Sequence, residues 1–171
     1  QMLAAGQTDA LFGYSFGQAL TMEMRGYPTT VMALSDYGVQ FYGTVFYTNE
    51  DLLENDPDLV RRFATALMKS YMYTDENNKA AVAKVIEVSP DRDLDLETRK
   101  SEIIFDLYKS DDYSDVFGKM YADKWESSIA ILDEGGFLDR RPDPEELFTN
   151  EIVESLPEAG ALAAQLRGSG S

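Results

Sequence analysis

Cysteine and histidine are both missing from this 171-residue chain. Their absence removes disulfide frameworks, thiol nucleophiles, imidazole general bases and the usual zinc and copper ligands together. It does not by itself choose between an oxidising compartment and the cytoplasm. Positive charge is scarce: 15 Lys and Arg stand against 31 Asp and Glu, a formal charge of −16. Attraction to nucleic acid or anionic lipid is thereby disfavoured, and a solvated, colloidally stable surface is expected. No apolar run approaches the roughly 20 residues that span a bilayer, and no basic region leading into an apolar stretch opens the chain. If the protein is exported, its signal is expected to have been removed or to lie upstream. Phosphate-cradling Gly-x-x-x-x-Gly-Lys and nucleophile-elbow Gly-x-Ser-x-Gly patterns are also absent.

What is present suffices for one sizeable core or two small lobes, since 44% of residues are hydrophobic and 12% aromatic. Gln1 to Ala5 reads as the last turn of a helix closed by Gly6, and Asp9 to Tyr14 as a short buried strand. A helix tail does not nucleate alone, so the chain is expected to start inside a fold or to have its first turn completed by a partner. Ser15 to Arg25 places Phe16, Leu20 and Met24 on one helical face, with Ser15 as N-cap and Gly26 as the stop. Thr29 to Leu34 is rich in strand formers. Asp36-Tyr37-Gly38 makes a turn, and Val39 to Thr48 is an extended aromatic segment bulged at Gly43. The strand, helix, strand order predicts an α/β fold.

Helices follow. Asn49 caps a short turn, and Asp56-Pro57 opens a long helix to about Tyr73 with Leu59, Phe63, Ala66, Leu67 and Ser70 on its inner face. Lys79 to Val88, Asp95 to Lys109 (stripe Ile103, Ile104, Leu107) and Lys119 to Leu132, ended by Gly135-Gly136, complete the series. Glu145 to Phe148 is a turn and Thr149 to Leu156 a short amphipathic piece. Pro157 to Ser171 is rich in small residues and reads as a tail, its Gly-Ser-Gly-Ser end as an appended flexible linker.

Carboxylates are abundant, but Asp91, Asp93 and Asp95 lack the glycine turn and bidentate glutamate of a calcium loop and read as a solvated loop. Asp111-Asp112 and Asp133-Glu134 are conceivable acid/base pairs, yet surface carboxylates vastly outnumber catalytic ones. More telling is the crowding of Phe12, Tyr14, Phe16, Tyr37, Phe41, Tyr42, Phe46 and Tyr47 among Gly13, Gly17, Gly38 and Gly43. Several belong in a core. Tyr14, Tyr37 and Tyr42 stand beside glycine at predicted strand ends, where open α/β sheets bind ligands, and suit a pocket for a flat molecule.

The stretches "LAAGQTDALFGY" and "RGYPTTVMALSDYGVQFYGTVFYTNEDLLENDPDLVRRFATALMKSYMY" resemble the second half of periplasmic-type solute-binding proteins of ABC importers. The branch is the one with binders of thiamine pyrimidines, taurine and alkanesulfonates, nitrate and riboflavin precursors. The likeness covers roughly residues 1 to 155. It implies a two-lobe fold of which this chain holds part: residues 1–42 in lobe two, 43–156 the hinge return and helical end of lobe one, and 157–171 the tail. A separate or missing N-terminal half would supply the rest.

The resemblance further implies closure of two lobes on a small solute by hinge bending, followed by docking on a permease. Gly13, Tyr14 and Ser15 would then edge the cleft, Asp36, Tyr37 and Gly38 would form the loop before the hinge, and Gln40 and Tyr42, with Gly43, the crossing strand. Ser15 would offer backbone N–H groups, Asp36 would pair with an amino group, and the tyrosines would stack on a flat nitrogenous ring. No catalytic residue, metal or cofactor is expected, and the site would be periplasmic or extracellular, lipid-anchored or free. A relative is the fungal pyrimidine synthase of thiamine biosynthesis, which uses a cysteine-rich cluster; Val39 to Gly43 holds no cysteine, so binding is favoured over that chemistry. A split or engineered sensor built from the same lobe is the third reading.

Overall fold

A computed structural model of the chain describes residues 2–39, 41–110 and 115–168. Short-range signals place its helices. The Asn49 carboxamide oxygen accepts the N–H of Leu52 at 2.8 Å and starts α2 (Glu50–Asn55). The Asp56 carboxylate accepts that of Leu59 at 3.1 Å where Pro57, needing no N–H partner, opens α3 (Pro57–Glu76). Asp93 caps α5 (Leu94–Ser110) by accepting from Leu96 at 2.8 Å, so one of the three alternating aspartates has a structural use. Between them lies α4 (Asn78–Val88).

Upstream, the turn over residues 2–6 closes with Gly6 N–H donating to Leu3 and Gln7 N–H to Met2, Gly6 standing at φ +66°. Ser15–Ala19 forms a π-helical turn that runs into α1 (Leu20–Met24), and Gly26 at φ +80° ends it. The remaining helices are α6 (Ala122–Glu134), α7 (Glu151–Glu154) and α8 (Pro157–Gly168), with 3-10 turns at Leu34–Tyr37 and Pro144–Glu146. Gly136, at φ +69°, closes α6 as the glycine pair predicts.

Contacts divide the chain into two units, Gln1–Ala33 with Tyr73–Asp111, and Leu34–Met72 with Asp112–Ser171. In the first, α4 packs on α5, and α1 with its π-helical turn also lies against α5. Leu20, Val82 and Phe105 are its buried side chains. Asn78 donates to the Ser101 hydroxyl at 3.1 Å between α4 and α5, and Lys109 meets the nearly buried Asp75 carboxylate at 2.8 Å.

The second unit is centred on α8. Ala159, Leu162 and Ala163 are 0% exposed, and Met68, Phe117, Ile129, Leu156 and Leu166 are buried as well. Gln165 donates to the Met72 carbonyl at 3.0 Å, Lys69 pairs with Glu158 at 3.4 Å, and Phe117 N–H donates to the Ala159 carbonyl at 3.1 Å.

Several expectations are corrected. Asp9 to Tyr14, Thr29 to Leu34 and Val39 to Thr48 are not strands; among the described residues there is no strand at all, so the α/β class is not realised there. A strand exists only as one member of a ladder, and among the described residues no second extended segment pairs with the backbone of these three. Ser15 is not an N-cap: Tyr14 holds that position, extended, without a side-chain cap bond.

The inner face of α3 is rotated. Leu59 and Phe63 are 40% and 56% exposed, whereas Met68 is buried and Ala64, Tyr71 and Met72 are half-buried, because α8 and the Phe117 ring pack there. On α5, Phe105 goes inside and Leu107 stays exposed. Residues 157–168, expected as tail, are the helix with the deepest burial; Ser169 to Ser171 lie outside the described residues, as do Asp111, Asp112 and Gln40.

Candidate functional site

The eight residues singled out from the sequence fall into both units. Gly13, Tyr14 and Ser15 belong to the first; Asp36, Tyr37, Gly38 and Tyr42 belong to the second, with Gln40 outside the described residues.

In the first unit, the bend at Gly13 leads into the π-helical turn. A side chain at Gly13 would strike the Gln18 carboxamide, 2.6 Å from the nearest atom, so the bare backbone lets Gln18 fold over it. Tyr14 is half-exposed and its ring stacks on Phe16 with centroids 5.0 Å apart and planes 20° from parallel. Thr21 donates to the Gly17 carbonyl at 2.8 Å and ties the π-helical turn to α1. The result is a solvent-facing aromatic pair on a firmly closed turn.

In the second unit, the 3-10 turn Leu34–Tyr37 is locked by Gly38 N–H donating to Ser35 and Val39 N–H donating to Leu34, both at 3.1 Å. Gly38 stands at φ +78°, a conformation that a side chain would strain. The turn presents Asp36 and Tyr37 to solvent, Tyr37 at 65% exposure. One carboxylate beside one phenol ring can accept from an amino group while an aromatic face covers a flat ring.

Tyr42 has a different setting. Its hydroxyl accepts the N–H of Tyr121 at 2.7 Å at the start of α6, its ring lies 5.5 Å from that of Trp125, and the Lys124 ammonium sits 5.7 Å from its centroid. Trp125 in turn stacks on Phe148 at 6.3 Å, 9° from parallel. Sequence reasoning missed Trp125, Lys124 and Phe148. The lone tryptophan was the available signal, but only the fold brings it to Tyr42, 83 positions away by number. Its indole nitrogen is buried without an acceptor among the described residues.

The pKa values of Lys84, Lys119 and Arg141 are each raised, first by a hydrogen bond to Glu87, Glu154 and Asp133 respectively, in surface ion pairs. Asp133, one of the imagined acid/base group, is occupied by Arg141 at 3.1 Å, and Arg141 also grips Glu126. No helix among the described residues is long and apolar enough to cross a membrane.

Comparison with known proteins adds two findings. Residues 1–81 match a family model described as NMT1/THI5 like, and that span holds all eight candidate residues. Over 152 residues, 86% of the chain, the sequence is 24% identical to the formylaminopyrimidine-binding protein of Halalkalibacterium halodurans. The chain spans 46% of the length of that relative.

Proposed function

We propose, from the premise that this chain is a partial relative of solute-binding proteins and carries an NMT1/THI5-like segment, that it captures a small, flat, nitrogenous solute of the pyrimidine type. The observation that carries the reading is the agreement of the two similarities: a relative named for binding formylaminopyrimidine, and a family match over the very residues that hold the candidate site. Binding, not turnover, is the proposed activity.

In this reading Tyr14 and Tyr37 supply stacking faces, Asp36 accepts from an exocyclic amino group, and Gly13, Ser15 and Gly38 let backbone approach the ring. Tyr42, held against Tyr121 and Trp125 at α6, adds a further aromatic face. The whole protein would close two lobes on the solute by hinge bending, the closed form gaining its stability from contacts made only there. A complementary N-terminal half would supply the rest of the α/β sheets, and a permease of an importer would take delivery outside the cytoplasm.

Exposure favours the missing sheet partners. Phe12 is 81% exposed, Met32 68%, Phe46 54% and Tyr47 94%, all on segments whose residue types are those of buried strands.

The test is calorimetric titration of formylaminopyrimidine, with taurine and nitrate as competitors, into the chain alone and with a polypeptide equivalent to the part of the relative that the chain does not span. Saturable binding of the pyrimidine is expected, weakened about tenfold, or about 1.4 kcal/mol, by Asp36→Asn and by Tyr37→Ala. Binding indifferent to both substitutions, or taurine or nitrate preferred, would overturn the site or the ligand class.

A further inference from the structure

A groove of about 410 Å³ lies in the first unit, lined by Ala4, Ala5, Met22, Arg25 and Tyr27. Its volume is within the range of small-molecule sites, roughly 300–1,000 Å³. None of the eight residues assigned above lines it. We propose that this groove binds a small planar carboxylate, with Arg25 as the partner of the anion and Tyr27 beside the ring.

Two closed turns build the walls. On one side the turn over residues 2–6 brings Ala4 and Ala5 to the surface with side chains too small to fill the space. On the other, α1 ends with Gly26 N–H donating to Glu23 at 2.9 Å and Tyr27 N–H donating to Met22 at 2.9 Å. Gly26 at φ +80° makes that ending possible and sets Arg25 and Tyr27 on either side of it. The carbonyls at the end of α1 are thus engaged by backbone donors and do not occupy the guanidinium.

Charge supports an anion. Lys and Arg side chains along this acidic chain, such as Arg62, Lys69, Lys109, Lys119, Arg141 and Arg167, pair with carboxylates. Arg25 has no ion-pair partner among the described residues. Glu23, two positions back in the sequence, makes no ion pair with it, as expected at a spacing whose side chains do not face each other on a helix. In a molecule of formal charge −16 most of the surface repels an anion, which leaves a free guanidinium as the favoured seat. The planar fork of arginine matches a carboxylate through two parallel bonds, and the half-exposed Tyr27 ring suits a flat apolar body better than a bare ion. Met22 adapts to such a body.

Amide NMR titration of the chain with benzoate, benzamide, acetate and inorganic phosphate tests this. Benzoate is expected to shift the amides of Ala4, Ala5, Met22, Arg25 and Tyr27 saturably, with benzamide and acetate each at least roughly tenfold weaker. Arg25→Gln should weaken benzoate by about tenfold or more, Arg25→Lys by less, and Ala5→Leu should block it, all with an unchanged helical circular dichroism signal. Benzamide as good as benzoate would leave only an apolar groove, phosphate as good as benzoate only a bare cation, and an Arg25→Gln variant that binds normally would place the ligand elsewhere. Each of these overturns the proposal.

Discussion

Asn150 shows how much one side chain can decide. Its carboxamide oxygen accepts the Met120 N–H and its amino group donates to the Met120 carbonyl, both at 2.9 Å, so it stands in for a strand neighbour to a backbone that has none. Asn150→Ala strands both groups in a part-buried position and is expected to cost about 1–3 kcal/mol in urea denaturation of the chain. Asn150→Asp keeps the acceptor and should recover part of the loss.

Lys119 carries a pH dependence of known sign. The hydrogen bond and charge of Glu154 raise its acid strength value above that of an ordinary lysine. A group whose folded value is raised contributes fully below its unfolded value and loses that contribution as pH climbs through the folded one. The pair therefore supports the fold at neutral pH and weakens on the alkaline side, beginning near the ordinary lysine range. Glu154→Gln should flatten the alkaline limb of a melting-temperature profile while leaving its neutral-to-acid comparison set by the remaining carboxylates.

At the scale of elements, α8 organises its unit, although its composition reads as a tail. Four small or medium apolar residues, Ala159, Leu162, Ala163 and Leu166, go fully or almost fully inside because small side chains let the helix approach its neighbours closely. Leu162→Ala should cost about 2–5 kcal/mol in chemical denaturation. Gly160→Ala should do the opposite. A Cβ there meets nothing nearer than the Asp115 carbonyl at 3.6 Å, an ordinary contact, so removing a helix-interior glycine should stabilise by about 0.5–1 kcal/mol.

The helices themselves were legible in the sequence. Asn49, Asp56-Pro57, Gly26 and Gly135-Gly136 act within three or four residues of where they stand, and each does what its type predicts. The inner faces were less so: α3 turns Leu59 and Phe63 outward and buries Met68, whose tip lies beside Gly118, far along the chain. The same limit applies to the candidate site. Its glycine-bounded turns and exposed tyrosines follow from local pattern, whereas the contact of Tyr42 with Trp125 joins residues that no spacing rule connects.

For the whole molecule, the decisive quantity is a formal charge of −16. Like charges held on compact units repel one another, and dissolved salt shortens their reach to about 10 Å at 0.1 M. The melting temperature is therefore expected to rise between 20 mM and 300 mM sodium chloride, measured by circular dichroism. A fall would mean that the surface ion pairs outweigh the repulsion. The division into two units adds that unfolding need not be a single transition, so each should be followed by its own probe, with Trp125 fluorescence reporting the second.

Composition alone settled which chemistry was out of reach, because no arrangement of this chain can supply a thiol or an imidazole. Local pattern settled where helices start and stop, because caps and left-handed glycines act on their immediate neighbours. Which face of a helix is buried, whether an aromatic segment finds a strand beside it, and which ring Tyr42 meets were decided only by tertiary structure. Those outcomes depend on contacts between residues far apart along the chain, and a segment suited to a strand stays unpaired until another backbone lies next to it.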